Sequence, residues 1–365
     1  MVASGRSYGR AASGRERQRM KFGIIVNRKM IDRTSSDPYG RLFSYLNEME
    51  DLGYDLGWCG HHRFSEATAF GGDQATEPSA PLAMLAPLLA RTRNMKFCTN
   101  IMLVPARHPL ELAEEINTIN EMGNNRFILG GGIGYKPDEF ENCGWNFRTR
   151  ARRFEECLEI LRLAMGGQRF SYPGTHFQID DVMIQPAALR GEIPPIWIGA
   201  VSDPAMRRAG RLGDGWIISF AEHLLELVDK VQVYKGIAAE HGRPSTLALM
   251  RDVHIAETRG QLDPHFLPNI IKVWQSYEDL GSKADRDALS SEVMFGGKQV
   301  TLDEFAPNRA VVGDPDDCIR EMTRIRDLLN PEWMFITPTG VPDPEQQIRD
   351  LRLFAREVMP HFRTG

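Results

Sequence analysis

The chain has 365 residues, of which 42% are hydrophobic and 25% are charged, proportions that are typical of a soluble globular protein. Its net charge of −5 argues against nucleic acid or an anionic membrane surface as a partner, and no run is long and apolar enough to predict a membrane-spanning helix. The five cysteines are scattered without CxxC spacing, which favours a reduced, cytoplasmic setting over a disulfide framework.

The first nineteen residues differ in composition from the rest of the chain. Residues 1–19 contain Gly, Ser, Ala and five arginines against Glu16, and they lack the apolar stretch of a secretory signal. We predict a disordered basic tail over 1–19, followed by a single folded domain over 20–362.

From Met20 onward, short apolar runs alternate with helical patterns. Eight runs are predicted as strands, at 21–26, 54–59, 95–102, 127–130, 196–198, from about 216, at 248–256 and at 333–337. Predicted helices follow them, at 41–52, 81–90, 108–122, 152–165, from Pro204, at 224–240, from Asp314-Pro315 to about 328, and at 344–359. The strand patterns lack strict alternation, as expected when both faces of a parallel sheet are buried.

Two segments interrupt this alternation. Residues 170–177 predict a hairpin with a turn at Pro173-Gly174. Residues 260–310 contain several Pro and Gly and are predicted to be an irregular insertion, either a mobile lid or plainly disordered.

Eight strand–helix units in one chain predict an α/β fold, a (β/α)₈ TIM barrel with insertions. A doubly wound sheet is the alternative. Against it, the chain shows no division into two halves and no glycine fingerprint after its first strand.

The stretch 193–218 has the pattern of a strand, a small-residue loop and a helix start at Pro204. Such a corner presents free backbone N–H groups and the positive end of a helix dipole where a strand ends. We therefore predict phosphate binding by the loop residues Gly199, Ala200, Val201 and Ser202.

Residues 130–134 (GGGIG) follow a predicted strand and look at first like a dinucleotide-binding loop. Pro137 stands where a further glycine would be needed, and no helix begins at once. The cluster fits a tight structural loop as well as a loop whose backbone approaches a flat ligand at the C-terminal face of a barrel.

Several motifs follow one another in order along the chain: PARHPLELA at 105–113, RFILG from 126 continuing to Glu139-Phe140, Arg150 with FEECLE at 154–159, SYPGTHFQIDDVMIQP at 171–186, PPIWIGA with RLGDGW at 194–216, and VMP at 358–360. Together they resemble the bacterial luciferase-like flavin monooxygenase family over residues 20–362, most weakly over 60–80 and 260–310. The resemblance implies a (β/α)₈ barrel that uses dioxygen and reduced FMN supplied by a separate reductase. A sister branch uses a deazaflavin coenzyme for hydride transfer.

The resemblance also implies a catalytic role for His62. The family often has Glu-His-His-Phe after its second strand, where this chain has His61, His62, Arg63 and Phe64, so His62 falls on the histidine near the reactive flavin edge. It could donate a proton or a hydrogen bond there, and a structural hydrogen bond is the alternative. Arg63 could hold an anionic substrate or pair with Glu66.

Further cofactor contacts are implied near the third and fourth strands. Asn100 matches a position that touches the flavin ring, and a non-proline cis peptide bond is expected at Asn100–Ile101, with a trans bond as the alternative. Gly132, Gly134 and Tyr135 match a loop that flanks the flavin, although Tyr135 also fits a core position.

These observations support three alternative functions. The first is a two-component monooxygenase, in which reduced FMN from a flavin reductase and dioxygen oxidise a small or medium organic substrate in a dry pocket. The second is a deazaflavin-dependent oxidoreductase, and the third is a non-catalytic flavin-binding protein or barrel partner. His108 is a second candidate for substrate contact, although a helix cap explains it equally well.

The expected setting is a cytoplasmic homodimer without nucleic-acid or membrane partners. No metal site is expected, because no His, Cys or carboxylate spacing completes a ligand set.

Overall fold

Eight parallel strands form a closed barrel in this computed structural model, which describes residues 19–26, 28–63, 80–279 and 287–363. The strands in these ranges are, in chain order, β1 (Lys21–Ile25), β2 (Leu56–Cys59), β3 (Lys96–Thr99), β4 (Met102–Leu103), β5 (Phe127–Gly132), β6 (Phe170–Pro173), β7 (Gln178–Val182), β8 (Ile196–Gly199), β9 (Gly215–Ile218), β10 (Thr246–Ile255), β11 (Ala310–Gly313) and β12 (Trp333–Thr337). The ring runs β1, β2, β3, β5, β8, β9, β10, β12 and closes because β12 also pairs with β1. The predicted TIM barrel is confirmed.

Helices cover the outside of the barrel between successive strands. Those described are α1 (Gly40–Asp51), α2 (Pro81–Arg91), α3 (Pro109–Met122), α4 (Asp138–Glu141), α5 (Arg150–Met165), α6 (Asp203–Leu212), α7 (Leu224–Glu240), α8 (Phe266–Asp279), α9 (Ala288–Phe295), α10 (Leu302–Phe305), α11 (Pro315–Leu329) and α12 (Pro344–Glu357). The start of α11 lies where Asp314-Pro315 predicts it. Asp314 forms a capping box with Asp317 at the start of α11, which satisfies backbone N–H groups that a helix leaves unpaired.

Large apolar side chains fill the barrel interior. Trp58 stacks on Phe335 with ring centroids 6.2 Å apart, and Trp197 packs edge-on against Trp333 at 5.5 Å. The neighbouring position on β1 is Gly23, where a Cβ atom would lie 2.8 Å from the Phe335 ring. The barrel is therefore a packed core, and a ligand can enter only at its ends.

The glycine cluster differs from the tight loop that its sequence suggests. Residues 130–132 belong to β5, and only Gly134 has a positive φ of 75°. The physical reason for glycine is a close approach of two main chains, since a Cβ at Gly130 would lie 1.8 Å from the carbonyl oxygen of Thr99. The Thr99 hydroxyl donates to the Gly130 carbonyl at 2.8 Å and accepts from its N–H at 3.0 Å.

The segment 260–310 also differs from expectation, because its described part is largely helical. It contains α8, α9 and α10, so the prediction that the segment is irregular was wrong. Phe266, Ile270 and Trp274 are fully buried and are spaced four residues apart, as on one face of a helix. The sequence analysis missed this pattern because it relied on the Pro and Gly content. The segment leads into β11, an additional parallel strand on the C-terminal half of β10.

Other expectations are confirmed or lie outside the described residues. β6 and β7 form the predicted antiparallel hairpin. The tail at 1–19, apart from Arg19, and Glu66 are outside the described ranges. Among the helices in those ranges, none combines the length and the apolar character needed to cross a membrane.

The close approach of the Gly130 and Thr99 main chains predicts that a larger residue at position 130 destabilises the fold. Gly130→Ala should lower the free energy of unfolding by about 3 kcal/mol or more, because the added methyl group meets a main-chain atom that cannot rotate away. Gly236→Ala is the matched control, since this exposed position in α7 has open space around its Cβ and should gain about 0.5–1 kcal/mol. Urea unfolding followed by circular dichroism measures both, and equal stability of Gly130→Ala and the wild type would contradict the packing described.

Candidate functional site

A cavity of about 700 Å³ opens at the carboxyl ends of the barrel strands, the face where barrel enzymes build their active sites. Its floor includes Trp58, Ile217 and Met250 from the barrel interior. Its walls come from segments that follow all eight barrel strands. The volume lies within the range of about 300–1,000 Å³ that is usual for small-molecule sites.

The corner between β8 and α6 forms one end of this cavity. Gly199, Ala200, Val201 and Ser202 all line it, as the sequence predicts. Ser202 is the N-cap of α6, and its side chain makes no capping hydrogen bond. The amides of the first turn of a helix have no acceptor within the helix. A strand end that leads into a helix N-terminus is an arrangement that favours anions, and phosphate binding at 199–202 stays a prediction.

Arg150 is a cavity-lining cation that the sequence reasoning did not select as a site residue. It begins α5, lines the cavity and donates from Nε to the carbonyl oxygen of Gly134 at 3.1 Å. Its guanidinium carbon lies 3.8 Å from the ring centroid of Phe147, and burial lowers its pKa. Arg208 lies outside this lining, because its Nε pairs with Glu155 at 2.7 Å.

His62 lies on a different side of the cavity, directly after β2. It is 9% exposed, and its ring stands between Tyr135 and Tyr277 at centroid distances of 5.9 and 6.2 Å. Nε2 is 3.5 Å from the Tyr135 hydroxyl, and Nδ1 is 3.7 Å from Oε1 of the buried Glu139. An imidazole with a carboxylate on one nitrogen and a cavity-lining phenol on the other can hold or move a proton.

The predicted cis peptide bond is confirmed between Asn100 and Ile101. Asn100 donates from Nδ2 to the sulfur of Met250 at 3.2 Å, and both residues line the cavity. Ile101 projects between two glycines. A Cβ at Gly132 would lie 1.9 Å from its Cδ1, and one at Gly199 would lie 2.7 Å from its Cγ2. Gly132 thus supports the Ile101 wall from behind and is not itself part of the cavity lining.

Arg63 and His108, the two substrate candidates, do not line the cavity. The Arg63 guanidinium donates to the Ala106 carbonyl at 3.3 Å and to the Cys143 sulfur at 2.9 Å. His108 is the N-cap of α3, where its Nδ1 accepts from the Leu110 N–H at 3.4 Å. The capping role explains His108 without substrate.

Asp252 connects α8 to the barrel. It is fully buried and accepts hydrogen bonds from Trp274 Nε1 at 3.0 Å and from the Thr337 hydroxyl at 2.7 Å. Trp274 is flanked on α8 by the cavity-lining residues Val273 and Tyr277. Asp252 therefore fixes the position of one cavity wall.

A family model described as luciferase-like monooxygenase matches residues 20–329. The chain belongs to the luciferase-like monooxygenase family.

Relatives within this family catalyse different redox reactions. The chain is 26% identical to the 4-hydroxyprotoasukamycin monooxygenase of Streptomyces nodosus subsp. asukaensis, covering 94% of this chain and 93% of the relative. It is 24% identical to the F420-dependent glucose-6-phosphate dehydrogenase of Amycolatopsis mediterranei, covering 91% and 98%. The FMN complex of the oxygenating constituent of 3,6-diketocamphane monooxygenase from Pseudomonas putida shares the fold, with a TM-score of 0.70, 20% identity and coverage of 94% and 98%.

This luciferase-like chain is thus an enzyme of a family that includes monooxygenases and F420-dependent oxidoreductases. Across the described ranges, no three His, Cys, Asp or Glu side chains are grouped as metal ligands.

The burial of Asp252 predicts how the free energy of unfolding depends on pH. Burial raises the pKa of Asp252 above 3.8 and outweighs the opposing hydrogen bonds. At a pH between the unfolded-state and folded-state pKa values, the folded protein therefore holds a proton that the unfolded chain has released. The free energy of unfolding therefore falls as the pH rises from 3.8 through the folded-state pKa. Asp252→Asn removes this titration, so its free energy of unfolding relative to that of the wild type should increase as the pH rises above 3.8, as measured by urea unfolding at several pH values.

Asp287→Asn is the control, because the pKa of Asp287 is shifted in the opposite direction to that of Asp252. Burial would raise the pKa of Asp287, but hydrogen bonds from Ser290 and Arg309 outweigh it and lower the pKa. The stability that Asp287 contributes should be lost as the pH falls. A stability difference between Asp252→Asn and the wild type that stays constant over the pH range would contradict the account of Asp252.

Proposed function

We propose that this chain is the oxygenating component of a two-component flavin monooxygenase, which uses dioxygen and reduced FMN from a separate reductase to oxidise an organic substrate. The observation that carries the proposal is that one cavity is lined both by the strand–helix corner at 199–202, an arrangement that favours anions, and by the buried imidazole of His62. A monooxygenase that is 26% identical over nearly the full chain supports the same activity.

The residues present suit FMN. The amides around Val201 and Ser202 and the guanidinium of Arg150 provide donors for a phosphate at one end of the cavity. Ile101 and Ile133 supply apolar walls for a flat ring system next to them. When bound, reduced FMN supplies the electrons with which one oxygen atom of dioxygen is transferred to substrate and the other is reduced to water.

The chain's own residues would orient the reactants and control protons. His62 would donate a hydrogen bond or a proton into the cavity, with Tyr135 beside Nε2 and Glu139 beside Nδ1. Val273 and Tyr277 of α8 line the same space, so we also propose that the segment 260–310 serves as a cover that excludes water. Water exclusion favours productive transfer over side reactions.

A deazaflavin-dependent oxidoreductase is the second candidate. The F420-dependent relative, 24% identical over 91% of this chain, favours it. The corner at 199–202 could bind the phosphate of either cofactor, so the reaction with oxygen decides between the two.

The first test compares the two cofactors. The protein is supplied with reduced FMN in isotopically heavy dioxygen, or with F420 without oxygen, and a panel of organic compounds is screened by mass spectrometry. Products that carry one heavy oxygen atom and form only with FMN are the expected result. Turnover with F420 alone, without oxygen, would replace the proposal by the second candidate.

The second test concerns His62. His62→Ala should lower turnover about 100-fold or more, the usual size of a lost acid–base contribution, and leave the dissociation constant of reduced FMN little changed. His241→Ala is the control, because His241 is exposed at the C-terminal end of α7 and should retain full activity. Unchanged turnover in His62→Ala would remove the proton role assigned here.

A further inference from the structure

A buried carboxylate, Glu139, lines the cavity beside the predicted catalytic imidazole. Glu139 is 3% exposed, and among the described residues it is the one carboxylate in the cavity lining. It lies on α4, whose next residue, Phe140, is fully buried and packs edge-on against Phe147 with ring centroids 5.5 Å apart. Burying a carboxylate costs free energy unless its charge is compensated, so the contacts of Glu139 indicate what holds it there.

One oxygen atom of Glu139 contacts two consecutive residues of the segment after β2. Oε1 accepts a hydrogen bond from the main-chain N–H of Arg63 at 2.8 Å, and it lies 3.7 Å from Nδ1 of His62. The hydrogen bond fixes the carboxylate relative to the main chain of the segment that carries His62. The second distance is that of an ion-pair contact, and catalytic contacts of this kind can shorten when reactants bind.

The side chain of Arg63 ties the same segment to the turn that follows α4. Its guanidinium donates to the carbonyl oxygen of Ala106 at 3.3 Å and to the sulfur of Cys143 at 2.9 Å. The segment is thus held to α4 through its main chain and to the following turn through a side chain. A movement of Glu139 away from His62 would break the main-chain hydrogen bond, so the carboxylate and the imidazole stay together.

The other ring nitrogen of His62 faces a group of a different kind. Nε2 is 3.5 Å from the Tyr135 hydroxyl, and Tyr277 of α8 packs edge-on against the ring with centroids 6.2 Å apart. The neighbouring His61 is held separately, since its Nδ1 accepts from the Leu103 N–H at 3.2 Å. A carboxylate only accepts hydrogen bonds and therefore favours a proton on the nitrogen that it faces, whereas a phenol can donate to a nitrogen that carries no proton.

We propose that Glu139 is a positioning residue for His62: its carboxylate keeps a proton on Nδ1 and leaves Nε2 as the nitrogen that exchanges a proton with the cavity. When Nε2 takes a proton, an N–H bond forms there, the bond between that proton and its donor breaks, and Glu139 stabilises the positive charge of the imidazolium. When Nε2 gives the proton up, the ring returns to the neutral form with its proton on Nδ1. The use of this proton in oxidation rests on the proposed function, whereas its position on Nδ1 does not.

Nuclear magnetic resonance of the full chain, isotopically labelled in its histidine ring nitrogens and without added cofactor, tests this placement. Nitrogen chemical shifts distinguish the two neutral tautomers of an imidazole, and comparison with His62→Gln identifies the signals of His62. Glu139→Gln removes the charge of the carboxylate and keeps its shape. Glu141→Gln is the matched control, since it makes the same chemical change at an exposed position of the same helix.

At a pH where the ring is uncharged, the wild type should hold the His62 proton mainly on Nδ1. Glu139→Gln should lower the ratio of the Nδ1–H to the Nε2–H tautomer about fivefold or more, the difference between hydrogen bonds to a charged and to a neutral acceptor. It should also lower kcat about tenfold or more, a part of the acid–base contribution of His62, with little change in the dissociation constant of reduced FMN. Glu141→Gln should behave as the wild type in both measurements.

Three results would overturn the inference: the wild type carries the proton on Nε2, Glu139→Gln leaves the tautomer ratio unchanged, or the ratio falls while turnover stays at the wild-type value. The first result comes from the wild type and so requires no variant of Glu139 to fold. The expected tautomers in a protein that turns over no substrate with either cofactor would leave the placement of the proton standing and remove the proposed function.

Discussion

The closure of the barrel by main-chain pairing is the constraint on which the site depends. β10 pairs with β9 through its first residues and with β12 along Ala248 to Asp252, which joins the last strands to the first. Because all eight strands run parallel, their carboxyl ends meet at one mouth. Closure brings His62, Ser202 and Pro342 to one cavity although they are far apart in sequence. A sheet left open between β9 and β12 would separate the two sides of the site.

The cavity is organised by charge as well as by shape. The cavity lining includes the β8 corner, the cation Arg150, and His62 with the carboxylate Glu139 beside its Nδ1. Under the proposed function, this lining would orient a cofactor and a substrate towards the imidazole of His62.

The sequence predicts most of the barrel because buried strands and helices have recognisable patterns of apolar residues. The eight barrel strands, the hairpin and the 199–202 corner follow from apolar runs and turn residues. The resemblance adds the cis bond after Asn100. Other features depend on tertiary context. Gly130 looks like a loop residue, and only the approach of Thr99 shows why a strand needs glycine there. Arg150 lies on a helix, where a charged side chain is usually solvated, so its place in the cavity lining depends on how α5 packs.

The account depends most directly on whether the β8 corner binds the phosphate of a flavin. The decisive measurement compares the dissociation constants of reduced FMN and reduced riboflavin, which share the ring system and differ by the phosphate, in anaerobic titrations of the full chain. The account predicts that FMN binds about 100-fold or more tightly, since several main-chain donors and Arg150 would contact its phosphate. Equal affinity for the two flavins would contradict it.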